Sequence, residues 1–339
     1  MTPGWLAAET AKLRGAYAAG RLPHALLIHE APGSGGEWLA GWIARMVLCA
    51  NRLPWQAPSQ EPVSGPDAPC ERCASCQRAA QGQHPDLMLL RPLESSTQIR
   101  IEQVRELSEE LSLTSHQGGY KVAILSPADT MNRFAANALL KTLEEPPQGT
   151  LLILVATQPS RLPPTILSRC QRVRVRAPAQ ADAVAWLEAT RGPGEWGRVL
   201  SVLGTAPMLA AAADPDQVAA VAVEVRRELE QAAAGEGDPV ATAERWARSE
   251  LPLRLICLEN WLTDRIRGRL GAGALFTEVR VGAHPRGHGD SLDLRQLFEL
   301  LDAVRELKSS FDAPINRGLA LESLLRSLDA RGLNREGRG

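Results

Sequence analysis

The sequence predicts an α/β domain built on a parallel sheet, followed by helical units. Three observations carry this. Five short apolar runs alternate with amphipathic stretches through residue 177. A Gly-rich turn joins the first run to the first helical pattern. Beyond Pro178 the pattern is helical almost throughout, rich in Ala, Leu, Glu and Arg. Strands that alternate with helices form a parallel sheet with both faces covered.

In chain order, strands are expected at Ala25–His29, Asp86–Leu90, Lys121–Leu125, Leu151–Ala156 and Arg172–Val175. Helices are expected at Glu37–Cys49, Ile101–Ser112 and Asn132–Glu145. Within Ile101–Ser112, the residues Ile101, Val104, Leu107 and Leu111 fall on one face at helical spacing. Leu53–Pro69 holds five prolines and reads as an insertion loop. Pro178 marks the first boundary, and Ala179–Ala213 reads as a small helical unit with Val184, Leu187, Val199, Val202 and Leu203 at its core. Asp214–Pro215 marks the second. Leu294, Leu297, Leu301 and Val304 then form one stripe, Gly282–Gly289 reads as a loop, and Ile315, Leu319 and Leu324 suggest a last helix. The organisation expected is an α/β domain at 1–177, a helical unit at 178–213, an all-α domain at 214–330 and a flexible tail at 331–339.

Composition narrows the function classes. At 339 residues the chain is long enough for two or three domains of roughly 100–200 residues each. Hydrophobic residues make up 44%, which excludes a chain disordered throughout. The formal charge of −1 gives no argument for nucleic-acid binding from net charge. No apolar run is long enough to span a membrane, and residues 1–20 lack the basic-then-apolar order of a signal peptide. A cytoplasmic protein is expected. Its six cysteines are too few for a disulfide scaffold, and three lie close together, the pattern of a metal site in a reducing compartment.

The turn Glu30-Ala31-Pro32-Gly33-Ser34-Gly35-Gly36-Glu37 stands where a phosphate-binding loop would stand, between strand and helix. Such a loop uses Gly for close backbone approach, Lys for the β/γ-phosphates and Ser or Thr for magnesium. Aligned on Gly33 and Gly35, the first Gly position holds Glu30, the Lys position Gly36 and the Ser/Thr position Glu37. Two carboxylates would oppose the anion that a helix N-terminus attracts. The turn is either a lost nucleotide site or a plain strand–turn–helix corner. A hydrolase also needs Asp, often with Glu, at the end of a following strand to hold magnesium and orient water. Here Ser126 and Pro127 stand there, and Asp129, three residues late, reads as a turn or cap residue.

Cys70-x2-Cys73-x2-Cys76 is a compact metal-binding knuckle. Cys49, at the end of the preceding helical pattern, and His84 compete as the fourth ligand. Four thiolates suit a structural zinc, and the spacing alone also admits an iron–sulfur cluster. Cys257 lies in an apolar helical run and reads as core.

Asn137-Ala138-Leu139-Leu140-Lys141-Thr142-Leu143-Glu144-Glu145-Pro146-Pro147 resembles the clamp-loader branch of the AAA+ family. So do Arg21-Leu22-Pro23-His24-Ala25-Leu26-Leu27-Ile28, Ala156-Thr157-Gln158-Pro159 and Leu162-Pro163-Pro164-Thr165-Ile166-Leu167-Ser168-Arg169-Cys170. The resemblance implies an AAA+ P-loop-type sheet domain with an inserted zinc module, a small helical lid and an all-α collar that assembles subunits into a ring. It implies a subunit that does not hydrolyse ATP itself and helps the loader of DNA polymerase III place a sliding clamp on primer-template DNA. Gamma/tau and delta loader subunits would be its partners. By the same resemblance Arg169 is an arginine finger acting in trans, Thr157 occupies the sensor position, and Cys49, Cys70, Cys73 and Cys76 hold the zinc. The gap from Cys49 to Cys70 is longer than the family's. ATP is not expected to bind productively at Gly33, Gly35, Gly36 and Glu37.

The remaining marked residues read more plainly. Thr157 is expected to bond a backbone partner, and Lys141, Glu144 and Glu145 to be capping or surface charges. Trp246 and Trp261 read as core, and Arg265, Arg267 and Arg269 as a solvated helix face. Two alternatives stand beside the main reading. One is an active ATPase of the gamma/tau type, against which Gly36, Glu37, Ser126 and Pro127 speak. The other is a zinc-knuckle nucleic-acid-binding protein, for which only Arg72, Arg78 and Arg91 lie near the knuckle, without an aromatic platform.

Overall fold

The computed structural model describes residues 2–51, 69–93, 96–117, 119–270, 292–309 and 316–328. The expected proline-rich loop (apart from Pro69), the loop at 282–289, Ile315 and the tail at 331–339 lie outside the described residues.

The chain divides into two compact units, residues 1–186 with 206–208, and 187–205 with 209–339. In the first, α1 (Ala7–Ala18) precedes β1 (Ala25–Glu30), α2 (Gly36–Leu48), α3 (Ala74–Ala80), β2 (Leu87–Leu90), α4 (Ile101–Ser112), β3 (Lys121–Leu125), α5 (Arg133–Glu144), β4 (Thr150–Ala156), α6 (Pro164–Leu167) and β5 (Gln171–Val175). All strand pairs are parallel, in the order β2-β3-β4-β1-β5. β4 is buried along its whole length, as a central strand covered on both faces must be. Leu26 and Ile28 of β1 face one core with Leu39, Ile43 and Val47 of α2. Ala25 and Leu27 face the other with Val104, Leu107, Leu139 and Leu143 of α4 and α5. Because β1 runs parallel to its neighbours, the turn that follows it lies at the carboxyl ends of the strands, where open α/β sheets bind ligands.

α7 (Gln180–Arg191) runs across the division between units, followed by α8 (Trp196–Leu203) and α9 (Pro207–Ala212). The second unit is built on α10 (Pro215–Ala234), α11 (Pro239–Arg248), α12 (Leu251–Arg269), α13 (Leu294–Ser309) and α14 (Arg317–Arg326). Asp214 caps α10 and Asp238 caps α11, each with Pro at the first helical position. The predicted stripe on α13 is in the core through Leu297, Leu301 and Val304, beside a fully buried Trp246. Trp261 is only partly buried, and Arg265 lies over its ring at 3.9 Å. Arg269 donates to the Leu292 carbonyl, and Arg267 also has a partner, so this run is not simply a solvated face. Among the described residues no helix is long and apolar enough to cross a membrane.

Candidate functional site

The β1–α2 turn is closed by its own side chain. Glu30, at the end of β1, turns its carboxylate into the loop, where Oε2 accepts the N–H of Gly35 at 3.1 Å and of Gly36 at 2.6 Å. These are first-turn amides of α2, the donors that such a loop offers a phosphate. Gly36 is required here, because a Cβ would stand 2.7 Å from the Glu30 carboxyl carbon. Gly35 sits at φ 104°, fenced by Leu6 and Met208. Trp5 Nε1 donates to the Ser34 carbonyl at 2.8 Å and the Met208 N–H to Gly33 at 3.0 Å. Glu37, at the Ser/Thr position, and Ser126, at the strand-end position of the acidic residue, also satisfy one another. Glu37 Oε1 accepts from Ser126 Oγ at 2.6 Å, and its Oε2 from Arg91 Nη2 at 2.8 Å.

Burial pushes the Glu30 carboxyl above its ordinary range, against the pull of the Gly36 and Gly35 amides, and the charge of Glu37 adds to the rise. The folded state therefore binds this proton more tightly than the unfolded chain. Its contribution to stability is greatest below the ordinary value of 4.5 and is lost as pH rises through the shifted value. Glu30→Gln is expected to lose this part of the pH dependence while keeping an acceptor for the two amides. Urea unfolding across pH 4–8 checks this; superimposable wild-type and variant profiles would refute it.

Asp129 Oδ2 accepts from the Gln158 N–H at 2.7 Å and from Thr157 Oγ1 at 3.1 Å. Asp129 lies in the short turn Ala128–Thr130, and its carboxylate reaches the end of β4 and does not cap its own turn. The expectation for Thr157 is corrected, since its partner is a carboxylate and not a backbone group. The side-chain acceptor lies 28 residues away in sequence and reaches the strand end only through the fold.

Arg169 stands between α6 and β5, beside a buried Cys170 that ties the turn into the core. Its Nη1 donates to the Thr165 carbonyl at 3.0 Å and contacts Ser168 Oγ at 3.4 Å. Nη2 pairs with Glu144 Oε1 at 2.6 Å. Glu144 is thus a surface charge with a specific partner.

The four predicted cysteines converge. The sulfurs of Cys49, Cys70, Cys73 and Cys76 all lie within 4.8 Å of one another, with Cys49···Cys73 at 3.9 Å and Cys70···Cys76 at 4.0 Å. A tetrahedron with Zn–S bonds of about 2.3 Å has S···S edges of about 3.8 Å, so the set fits that ion. Cys49 ends α2 and Cys73 caps α3, so the cluster fastens one helix to the other. Burial raises the Cys76 and Cys49 thiols. Burial also pushes Cys73 up, but the amides of Cys76 and Ala50 and the neighbouring thiols bring it down to about 6. Packed this way, the thiols cannot all ionise without a cation among them. His84 is outside the cluster: it is buried, and its Nδ1 accepts the Asp86 N–H at 3.1 Å.

Sequence reasoning missed the roles of Arg91, Trp5, Met208 and Glu144. It placed Glu30 against an incoming phosphate, not in the phosphate's position. Two consecutive glycines five and six residues after an acid were the available signal.

A family profile described as DNA polymerase III, delta subunit, matches residues 7–179. The chain is 34% identical over 317 residues to DNA polymerase III subunit delta' of Pseudomonas aeruginosa, covering 89% of this chain and 90% of that protein. It is 38% identical over 183 residues to subunit delta' of Escherichia coli (54% and 51% of the two chains). It is 30% identical over 158 residues to the Escherichia coli subunit tau (47% and 22%).

Proposed function

The chain belongs to the DNA polymerase III delta' family, and from that membership we propose that it is a clamp-loader subunit without ATPase activity of its own. Glu30 carries the proposal: a carboxylate held by the Gly35 and Gly36 amides competes with a nucleotide phosphate for the same donors. No lysine replaces those contacts, and Glu37 and Ser126 bond each other where magnesium ligands would be needed. In this reading residues 178–213 form the lid and 214–330 the collar. The partners are gamma/tau and delta subunits, and the sliding clamp and primer-template DNA are engaged by the assembled complex. Cys49, Cys70, Cys73 and Cys76 hold a structural zinc that ties α3 to α2.

What this chain contributes to chemistry is Arg169. A guanidinium is planar and always charged, suited to the charge that develops on a transferring phosphoryl group at a neighbour's site. The test is clamp- and DNA-stimulated ATPase turnover of the reconstituted loader, wild type against Arg169→Ala in this chain, after equal assembly is established. Turnover is expected to fall severalfold. Unchanged turnover would reduce the chain to a scaffold.

A further inference from the structure

We propose that Glu144 is the positioning residue for Arg169, holding its guanidinium in a fixed pose while part of the fork stays uncommitted. The proposal rests on the finger reading above. Arg169 has five N–H donors. Nη1 uses its two on the Thr165 carbonyl and Ser168 Oγ, and Nη2 is held by the ion pair with Glu144 at 2.6 Å. The Nε–H makes no hydrogen bond among the described residues. The side chain is therefore anchored at three points and still offers its Nε–H to a phosphate oxygen.

The anchor is itself rigid. Glu144 is the last residue of α5, whose start is capped by Asn132 and whose Ala135, Ala136, Leu139 and Leu143 are buried. Stability does not account for Glu144. A carboxylate at a helix C-terminus faces the negative end of the helix dipole. The pair is exposed, at 36% for Arg169 and 50% for Glu144, and pairs this wet add little to folding. What such a contact supplies is pre-ordering, since a long side chain already fixed has less rotamer freedom to lose when it meets its target.

The experiment is a double-mutant cycle in the reconstituted loader, using Glu144→Ala, Arg169→Ala and the pair, with kcat and KM for ATP read with clamp and primed DNA. Glu144→Ala is expected to lower kcat roughly three- to tenfold, within the range of couplings between contacting residues. KM should change little, and the loss should vanish in the Arg169→Ala background. Glu144→Gln, which keeps an acceptor, should recover part of the loss. If Glu144→Ala assembles poorly, Glu144→Gln carries the same cycle. Three results overturn the proposal: an equal loss in both backgrounds, no loss in the wild-type background, or a rise in turnover, which would make Glu144 a competitor of the phosphate. If Arg169→Ala itself leaves turnover at the wild-type level, the finger reading fails and takes this proposal with it. If Arg169→Ala is impaired and Glu144→Ala is not, the proposal alone fails.

Discussion

Cys76→Ser is expected to strip the chain of one equivalent of bound zinc and to melt the knuckle while leaving the parallel sheet folded. Cys76 is the most enclosed of the four clustered cysteines together with Cys49, at 1% and 2% exposure. Its sulfur faces Cys70 at 4.0 Å and the Arg45 carbonyl at 3.9 Å. Serine removes a soft thiolate from this set and leaves a hydroxyl that binds zinc poorly. Cys73 and Cys76 stand at the start of α3, which at seven residues is too short to persist without tertiary support. Its attachment to α2 rests on Ala79 and the ligands themselves. Apparent zinc-binding energies at small structural sites run to about 10–16 kcal/mol at neutral pH, so the loss is large locally. The β1–β4 pairing and the core beneath α2 do not depend on the metal and should keep their protection.

Metal content by atomic emission and amide hydrogen exchange of residues 70–80 test this together. Cys49→Ser should behave as Cys76→Ser does, and His84→Ala should retain full metal content, because His84 is committed to its own turn. Metal retention in Cys49→Ser, or metal loss in His84→Ala, would overturn the ligand assignment. Acid should also release the ion, since thiolate ligands must take up protons as pH falls.

The fold was legible where the hydrophobic period was strong. β3 and α4 match their expected limits, and the other expected strands and helices of the sheet domain agree within one residue at each end. Each has a buried face that the sequence writes at period 2 or 3.6. Three helices of the sheet domain were not anticipated, among them α6, a single four-residue turn. α1 buries little more than Thr10 and Leu13, so it has almost no stripe to read, and α3 is a single short stretch set among the clustered cysteines. The cysteine cluster was legible because its spacing is local. The closure of the phosphate loop was not, because the same carboxylate that repels a ligand in a linear reading becomes the ligand once the turn folds back on β1. Charged residues on helical patterns were the most misleading. The rule that they face solvent holds for most of α10 but fails at Glu228.

That exception sets the largest global effect expected in the second unit. Glu228 on α10 is 6% exposed and Arg254 on α12 is 4% exposed. Glu228 Oε2 accepts from Trp246 Nε1 at 2.7 Å, and Oε1 accepts from Arg245 Nη2 at 2.6 Å. Arg254 gives Nη2 to Glu224 at 2.9 Å and Nε to the Ser249 carbonyl at 3.0 Å. Its Nη1 lies 3.7 Å from Glu228 Oε2, an ionic contact that is not a hydrogen bond. Glu228 therefore satisfies a fully buried indole and balances a buried guanidinium at once. Glu228→Ala removes both functions and leaves a cavity between α10, α11 and α12. Breaking one partner out of a buried ionic group costs about 3–5 kcal/mol. Urea unfolding followed by Trp fluorescence should show a second-unit transition displaced by that amount. Glu228→Gln should fall between, since the amide oxygen still accepts from Trp246 but the charge opposite Arg254 is gone. An apolar replacement of the network, Glu228→Leu with Arg254→Met, removes both charges together and should cost far less than Glu228→Ala. If Glu228→Ala unfolds within about 1 kcal/mol of wild type, the fold does not depend on the buried carboxylate, and the three helices are held by their apolar faces alone.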